Sequence, residues 1–326
     1  MTHVRHGRQV MVLAGGLSHE RDVSLRSGRR VADALTRSGT ETHIRDVDST
    51  LLSAIRSSPP EVIWPVLHGA TGEDGALGDL LGSLGIAYVG SSPSSCRLTW
   101  DKPVAKALVR AAGVSTPAGV ALSHATFREL GAHAVLELVV DALGLPLVVK
   151  PSRGGSALGL TIVRSAAELP SAMIAAYAYG DIVLIERLVE GVEVAVSIVE
   201  DEHGQPQTLP AVEIVPDGGV YSYEARYTAG ATEFFTPARL SSGAAASAAA
   251  ASLCAYRTLG HRHLSRVDLI IDGDDRPWFL EANVSPGMTE TSLFPMAVEA
   301  AGLDASGVYA GVAERALATP GPPDPA

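Results

Sequence analysis

Strand-like and helix-like segments alternate along the first third of the chain, and this alternation predicts a doubly wound α/β domain. Predicted strands occupy residues 10–14, 41–46, 62–67 and 87–90. The first helix has an apolar line through Val23, Val31 and Leu35, and Ser18 is placed to cap it. The glycine turn before that helix lacks the third glycine of a dinucleotide fingerprint, so it does not predict a dinucleotide site. We expect this domain to end near Cys96.

Beyond residue 96, further strands are separated by two well-marked helices. Predicted strands lie at residues 145–150, 160–163, 182–186 and 192–199. The helical segments at residues 101–112 and 241–259 are each closed by a glycine, and Lys102 and Lys106 share one face of the first. The strand that ends in Glu186 runs into a short linker. Backbone amides in such a linker can pair with an adenine, although the pattern is common.

Residues 265–292 predict a β-hairpin with a dense set of polar side chains. Residues 266–271 alternate between mostly polar and apolar side chains, and the Gly-Asp-Asp sequence at 273–275 has turn chemistry. We expect Asp272 to pair with Pro277, which fixes the register of the two strands. Because strand side chains repeat every two residues, the polar side chains then share one face.

This register places two carboxylates, Asp268 and Glu281, directly opposite each other, and Arg266 opposite Asn283. Like charges that face each other across a ladder are destabilising, so a compensating charge is expected. Two carboxylates and an amide oxygen form a ligand set that suits Mg²⁺, which would offset the repulsion. The alternative is a hairpin with one solvated polar face, and the hairpin residues alone do not decide between the two.

A glycine-rich stretch at residues 150–159 joins two of the predicted strands and begins with Lys150. Its backbone N–H groups and Ser156 could hydrogen-bond phosphate oxygens while the lysine supplies charge. It is not a Walker A loop, because no Gly-Lys-Ser/Thr leads into a helix. A plain surface hairpin is the alternative, and the density of glycines favours a flap that folds over phosphates.

Composition and charge narrow the class of protein. With 326 residues, of which 19% are charged and 46% hydrophobic, the chain has the composition of a globular protein of two or three domains. The net charge of −11 argues against a nucleic-acid partner. No apolar run is long enough to span a bilayer and the N-terminus lacks a signal-peptide core, so no membrane association is expected. Two cysteines, Cys96 and Cys254, fit a reducing cytoplasm.

Seven motifs, in order and with matching spacing, connect the chain to a known family. They are GGLSHERDVSL, HGATGEDG, DK at 101–102, VVKPSRGGSALG, LIERLVEGVEV, YSYEARYT and RVDLIIDGDDRPWFLEANVSPGMTETS. Together they resemble the D-alanine–D-alanine ligases of the ATP-grasp superfamily, over about residues 10–317. The segment NVSPGMTETSLFP is the most specific match.

The resemblance implies an α/β protein of ATP-grasp architecture. An N-terminal doubly wound domain at residues 1–96 would be followed by two α+β subdomains that clasp ATP. The central subdomain, residues 97–189, would carry the glycine flap, and the C-terminal subdomain, residues 190–318, would carry the metal and oxyanion sites. Residues 319–326 would form a disordered tail.

The resemblance also implies roles for individual residues. The expected catalytic set comprises Glu20, Ser156, Tyr227, Arg266, Gly287 and Ser292. The expected nucleotide-binding set comprises Lys102, Lys150, Ser156, Glu186, Arg187, Val189, Glu193 and Arg226. The expected metal ligands are Asp268, Glu281 and Asn283, which would hold two Mg²⁺ ions, with Mn²⁺ as an alternative metal.

The implied reaction is the ATP-dependent joining of two D-alanine molecules through an acyl phosphate, for peptidoglycan precursor synthesis, by a homodimer. The chain departs from the family at Gly154, where an acidic residue is usual, at Ala157, which replaces a serine, and at Arg226, which replaces a lysine. These departures leave open a ligase for another amino acid or hydroxy acid, although Tyr227 argues against a hydroxy acid. A nucleotide-binding module without turnover is a third interpretation, and the complete metal-ligand set weighs against it.

Overall fold

Three β-sheets with helices packed around them make up the protein, in a computed structural model that describes residues 9–319 except residue 229 and the side chain of Tyr227. The tail expected at residues 319–326 lies outside the described residues from residue 320 onward. Among the described helices, none is both long enough and apolar enough to cross a bilayer.

The first sheet is parallel, with strand order β2-β1-β3-β4. Its elements are β1 (Gln9–Leu13), α1 (Arg21–Arg37), β2 (Glu41–Arg45), α2 (Leu51–Ser57), β3 (Val62–Pro65), α3 (Ala70–Glu73), α4 (Ala76–Ser83), β4 (Ala87–Tyr88) and α5 (Pro93–Trp100). The alternation of strands and helices in the sequence predicted this doubly wound sheet, although α3 was expected to be part of a loop. The carboxyl ends of the parallel strands lie at one edge, where open α/β sheets bind ligands.

The second sheet is antiparallel, with strand order β5-β8-β6-β7. Its elements are α6 (Lys102–Ala111), β5 (Gly119–Ser123), α7 (His124–Glu129), α8 (Ala132–Leu143), β6 (Leu147–Pro151), β7 (Thr161–Val163), α9 (Leu169–Tyr177) and β8 (Ile182–Arg187), with a 3₁₀ turn at Ala166–Glu168 before α9. The glycine-rich stretch connects β6 to β7, as the sequence predicted.

The third sheet has strand order β12-β11-β9-β13-β14, with β10 paired to β9. Its elements are β9 (Val192–Glu200), β10 (Pro206–Thr208), β11 (Val212–Pro216), α10 (Tyr223–Tyr227), β12 (Thr232–Phe235), α11 (Ser242–Thr258), β13 (Leu264–Ile271), β14 (Pro277–Asn283), α12 (Leu293–Ala300) and α13 (Ala305–Ala318). The predicted hairpin is β13–β14, and β13 is a central strand of this sheet.

The first and third sheets share a hydrophobic core, whereas the second sheet has its own. Val12 and Trp64 of the first sheet belong to the same buried cluster as Val199 of the third sheet and Phe294 of α12. The cluster of the second sheet is formed by its own strands together with α8 and α9. The N-terminal and C-terminal parts of the chain are therefore packed as one body, and the second sheet forms the opposite wall of the cleft described below.

The hairpin register confirms the predicted pairs, but not the premise from which they were predicted. Asp268 lies opposite Glu281 and Arg266 opposite Asn283, whereas Pro277 pairs with Ile271 rather than with Asp272. A bulge after Asp268 absorbs the one-residue difference. The turn is therefore one residue longer than expected, and the bulge restores the facing carboxylates.

Helix α1 begins later than its predicted cap. Its first residue is Arg21, so Glu20 takes the capping position, and the Ser18 hydroxyl accepts a hydrogen bond from the Glu20 amide at 3.2 Å instead. Ser18 lies two residues too early to bond an amide of the first helical turn. The prediction that Ser18 caps α1 is therefore wrong, and a carboxylate occupies the positive end of the helix dipole.

Candidate active site

Two connected cavities fill the cleft between the second sheet and the rest of the protein. The smaller cavity, of about 400 Å³, reaches helix α1 and the loop after β3. The larger cavity, of about 620 Å³, lies between the second and third sheets. The residues that line both are Lys102, Gly154, Gly155, Tyr221, Arg226 and Glu281. Two ligands bound in such cavities would have their facing ends close together.

The smaller cavity brings together five residues of the expected catalytic set from distant parts of the chain. These are Glu20, Ser156, Arg266, Gly287 and Ser292. The Ser156 hydroxyl donates a hydrogen bond to the Glu20 carboxylate, which joins the glycine-rich stretch to the start of α1. The sixth residue, Tyr227, is the last residue of α10, and its side chain lies outside the described part of the chain.

A buried charge triad stands at the base of the larger cavity. The Glu186 carboxylate, 2% exposed, lies 2.6 Å from the Lys150 ammonium and 2.9 Å from that of Lys106. Burial alone would raise the pKa of Glu186, but the two lysines hold it below its usual value. Burial also lowers the pKa of Lys106 to about 8. The triad fixes the Lys150 ammonium in the cavity, where it can meet an anionic ligand.

The remaining nucleotide-binding candidates line the same larger cavity, except Ser156, which lines only the smaller one. Arg187 is the last residue of β8, Val189 follows that strand, and Glu193 lies near the start of β9. Desolvation raises the pKa of Glu193 to about 7, with nearby Asp268 and Glu281 adding to the effect. Arg226 stacks over the Tyr221 ring, with its guanidinium carbon 4.1 Å from the ring centroid. The residues in this cavity that are predicted to contact the adenine, the ribose and the phosphates therefore lie along one continuous surface.

Glu281 lines both cavities, the facing carboxylate Asp268 lines the larger one, and each of the two carboxylates has a cation beside it. Arg266 makes a two-pronged ion pair with Asp268, at 2.7 and 2.8 Å. Lys102 lies 3.2 Å from Glu281 and also donates to the carbonyl oxygen of Gly154 at 2.6 Å. Although burial would raise the pKa of Glu281, Lys102 and Lys150 hold it down to about 2. The repulsion that the sequence assigned to a metal is therefore already offset by protein cations.

The predicted metal ligands nevertheless fit a magnesium site. Asp268, Glu281 and the side-chain oxygen of Asn283 are all oxygen donors, the ligands that Mg²⁺ prefers. Asn283 Oδ1 accepts one hydrogen bond, from the Ser285 amide at 2.9 Å, and an amide oxygen has a second lone pair to offer. Within the described residues, no group of three or more His, Cys, Asp or Glu side chains forms a separate metal cluster. A site of two carboxylates and one amide leaves coordination positions for phosphate oxygens.

The expected oxyanion site is closely packed. Arg266 is 6% exposed, and Asp268 raises its pKa although burial opposes the charge. At Gly287, an added Cβ would lie 2.8 Å from Ser292 Oγ, so a larger residue would displace that hydroxyl. Ser292 Oγ in turn accepts a hydrogen bond from the Thr289 amide at 2.9 Å. The Arg266 guanidinium and the Gly287 backbone therefore both line the smaller cavity.

Two further cavity residues, His68 and Glu73, were missed as individual candidates from the sequence. His68 is buried, and its Nε2 has no hydrogen-bond partner among the described residues. Glu73 accepts a hydrogen bond from the Gly69 amide at 2.9 Å, and burial, reinforced by Glu20, raises the pKa of Glu73 to about 8. Both residues belong to the HGATGEDG motif in the polar loop after β3, but the resemblance was not used to assign a role to either of them.

Comparison with known proteins gives consistent matches over most of the chain. Residues 108–311 match the family described as D-ala D-ala ligase C-terminus. A D-alanine–D-alanine ligase from Bordetella petrii is 40% identical over 295 residues, which are 90% of this chain and 88% of the relative.

Two solved structures also resemble the fold. One is a D-alanine–D-alanine ligase from Bacillus anthracis complexed with ATP, with a TM-score of 0.78 and 28% identity over 96% of this chain and 98% of the other. The other is the VanG D-Ala:D-Ser ligase from Enterococcus faecalis, with a TM-score of 0.82 and 26% identity over 95% of this chain and 100% of the other.

Proposed function

This chain belongs to the D-alanine–D-alanine ligase family, and on that premise we propose how its own residues join two D-alanine molecules at the expense of ATP. The enzyme is an ATP-dependent carboxylate–amine ligase of ATP-grasp fold that releases ADP and phosphate. Its product, D-alanyl-D-alanine, serves peptidoglycan precursor synthesis. The observation that carries the proposal is the meeting of the two cavities at Lys102 and Glu281.

We assign the larger cavity to ATP. Glu186, Arg187 and Val189 would hold the adenine, and Glu193 would bind the ribose hydroxyls. Lys102 and Lys150 would contact the phosphates, since both ammonium groups line this cavity. Arg226, which lines both cavities, would add positive charge, and Ser156 would support the flap over the phosphates through its hydrogen bond to Glu20.

Asp268, Glu281 and Asn283 would hold Mg²⁺, two ions in all, with Mn²⁺ as an alternative. When bound, Mg²⁺ neutralises charge on the phosphate oxygens during phosphoryl transfer. A carboxylate has about four lone-pair sites, so Asp268 can bind a metal while keeping its ion pair with Arg266. When no metal is bound, Arg266 and Lys102 offset the negative charges of Asp268 and Glu281.

We assign the smaller cavity to the two amino acids. Glu20 would bind the ammonium group of the first D-alanine, while Ser156 and Tyr227 hold the flap around it. Arg266 and the Gly287 amide would stabilise the tetrahedral oxyanion, which is worth about 3–4 kcal/mol per donor in comparable sites. Ser292 would lie near the carboxylate of the second amino acid.

Phosphoryl transfer and amide formation would take place where the cavities meet. A carboxylate oxygen of the first D-alanine attacks the γ-phosphorus, and ADP leaves. The amine of the second D-alanine then attacks the carbonyl carbon, and phosphate leaves with the former carboxylate oxygen. Closure of the flap would exclude water, which would otherwise hydrolyse the acyl phosphate.

A substrate panel tests this proposal. Purified protein with ATP and Mg²⁺ is offered D-alanine alone, and then D-alanine with D-serine, D-lactate or L-alanine as the second substrate, while ADP and products are quantified. We expect D-alanyl-D-alanine as the main product. Predominant use of D-serine would instead favour the specificity named for the Enterococcus faecalis protein. Absence of any condensation product would contradict a ligase function.

We further propose that the protein acts as a homodimer in the cytoplasm. The family supports this proposal, and the acidic net charge of −11 is compatible with it. Light scattering coupled to size-exclusion chromatography tests the dimer, because a mass near twice the 33.8 kDa of one chain is expected. A mass of one chain at micromolar concentration would contradict it.

A further inference from the structure

The loop that carries Gly287 is held by a helix from the other end of the chain. The Met288 amide donates a hydrogen bond to Ser27 Oγ of α1 at 3.1 Å, between residues 261 positions apart. The Met288 carbonyl accepts one from Arg30 Nε, also at 3.1 Å. Both backbone polar groups of the residue after Gly287 are thus bound by side chains of α1.

Helix α1 is itself fixed against the first sheet. Ser24, which has no exposed surface, accepts a hydrogen bond from the Gly15 amide at 2.8 Å and donates one to the Val66 carbonyl at 2.5 Å. At Gly28, an added Cβ would lie 2.4 Å from the Cβ of Ala14, so only glycine allows the helix to pack this closely. The helix therefore has little freedom to shift along or away from the sheet.

The same helix begins directly after Glu20, the carboxylate assigned to the ammonium of the first D-alanine. Ser27 follows Glu20 by seven residues, which is two turns or about 10 Å along the axis and nearly the same side of the helix. We propose that α1 is a rigid spacer, in which Ser27 and Arg30 are positioning residues that set the Gly287 amide relative to Glu20.

This spacer would matter most for amide formation. Oxyanion stabilisation depends on donors held within about 0.5 Å of the productive geometry, and a misplacement of about 1 Å can cost about 100-fold in rate. Lys150, Glu186 and Glu193 stand on strands of the second and third sheets, and among the described residues none of them forms a hydrogen bond or an ion pair with Met288. Loosening the loop should therefore slow capture of the acyl phosphate by the amine while leaving ATP binding intact.

Slower capture has a measurable consequence. An acyl phosphate that the amine does not reach is open to water, which attacks the carbonyl carbon, so that the bond to phosphate breaks and D-alanine and phosphate are released. ADP then appears without an equal amount of dipeptide. The ratio of ADP to dipeptide separates a positioning role from a structural one, because a smaller folded fraction lowers both products equally.

Ser27→Ala and Arg30→Met test the spacer, with Arg29→Gln as the matched control. Arg29 is exposed on the same helix and has no hydrogen bond or ion pair among the described residues. For both test variants we expect kcat for dipeptide to fall about 10- to 100-fold and the ratio of ADP to dipeptide to rise above one. The KM for ATP should stay within about twofold, and Arg30→Lys should restore part of the rate because it keeps a charged donor.

Because this inference rests on the proposed function, the unmodified enzyme is assayed in parallel. If the unmodified enzyme forms dipeptide while Ser27→Ala and Arg30→Met match Arg29→Gln in kcat and in the product ratio, the spacer role is overturned and the ligase function stands. A lower rate with a product ratio of one and a lower melting temperature also overturns it, in favour of a purely structural role. An unmodified enzyme that forms no dipeptide overturns the ligase function and the spacer together.

Discussion

The two cavities of the cleft are assembled in different ways. The larger cavity, which we assign to ATP, carries its lysine and its acid on paired strands, since Lys150 and Glu186 stand on β6 and β8 of one sheet. The smaller cavity, which we assign to the amino acids, instead collects Glu20, Ser156 and Gly287 from loops and a helix start far apart in the chain. Ladder register fixes the first set locally, whereas long-range packing fixes the second. Changes in the second set should therefore alter rate and specificity with little effect on ATP binding.

The largest effect is expected at the proposed metal site. A change there should affect both cavities together, because phosphoryl transfer from ATP to the first amino acid depends on the metal. Asp268→Asn removes a proposed metal ligand, and a metal contributes several kcal/mol to charge stabilisation, so we expect turnover to fall about 1,000-fold or more. It also leaves the buried Arg266 guanidinium without its carboxylate, which should lower the free energy of unfolding by about 3–5 kcal/mol. Initial rates at saturating Mg²⁺ and urea unfolding measure the two effects.

The control for that change is Asp274→Asn in the exposed turn of the same hairpin, which should leave both quantities unchanged. The sequence alone suggested that removing one of the two facing carboxylates would relieve repulsion and so stabilise the metal-free protein or leave its stability unchanged. The ion pair with Arg266 reverses that expectation. Normal turnover in Asp268→Asn would remove Asp268 from the metal site.

The next largest effect separates the two cavities. Glu20→Gln should raise the KM for the first D-alanine about 100-fold, because the ammonium loses its charged partner, and should leave the KM for ATP within about twofold. Asp22→Asn, an exposed acid in the first turn of the same helix, is the matched control. The unmodified enzyme should also prefer D-alanine over L-alanine by about 100-fold or more. An equal rise in both KM values would show that the cavities are not separable in this way.

Replacement of Glu73, which lines the smaller cavity, should change how the free energy of unfolding depends on pH. Burial raises the pKa of Glu73 in the folded protein to about 8, from an ordinary value of 4.5. Between pH 4.5 and 8 the unfolded chain has released this proton and the folded protein has kept it, so unfolding becomes more favourable as pH rises. Glu73→Gln lacks this penalty and keeps an oxygen for the Gly69 amide. Its advantage in unfolding free energy over the unmodified protein should therefore grow by about 1–3 kcal/mol across that range.

Urea unfolding of both proteins at pH 5, 6.5 and 8 measures this growth. A difference that stays constant over the range would mean that Glu73 titrates normally. A difference confined to pH values below 5 would lead to the same conclusion.

The smallest effect concerns the flap, which belongs to both cavities. Ser156 and Ala157 both have positive φ values, 51° and 56°, a conformation that costs non-glycine residues about 1–2 kcal/mol each. A flap with this strain should open readily in the absence of ligand, so amides of residues 154–158 should gain about tenfold protection from hydrogen exchange when ATP binds. Residues 194–198 in the centre of β9 serve as the reference. Equal protection of the flap with and without ATP would contradict this expectation.

Local patterns in the sequence were enough to predict much of the fold, including the strands whose residues line the larger cavity. Strand alternation located the hairpin, and periodicity two placed Asp268 opposite Glu281. The length of the turn, however, could not be predicted to within one residue, because a bulge has no clear sequence signature when no glycine marks it. The turn is one residue longer than expected, and the bulge shifts the pairing back by one residue. The two deviations cancel, so the predicted pairs are recovered.

The other unpredicted features depend on contacts between distant segments. Lys106 was seen to share a helix face with Lys102, but its pairing with Glu186 of β8 depends on where α6 lies after packing against the third sheet and α11. Likewise, Ser27 and Arg30 read as ordinary helix residues until the loop around Met288 is seen to rest on them. Residue spacing carries no information about a partner more than 250 positions away.

Transfer of the γ-phosphoryl group across the junction of the two cavities can be followed with an oxygen label. D-alanine that carries ¹⁸O in its carboxylate is incubated with ATP, Mg²⁺ and the enzyme, and the released phosphate is analysed by mass spectrometry. An acyl phosphate predicts one ¹⁸O atom in phosphate for each D-alanyl-D-alanine formed, because phosphate leaves with the carboxylate oxygen. Dipeptide formed with unlabelled phosphate would contradict this route.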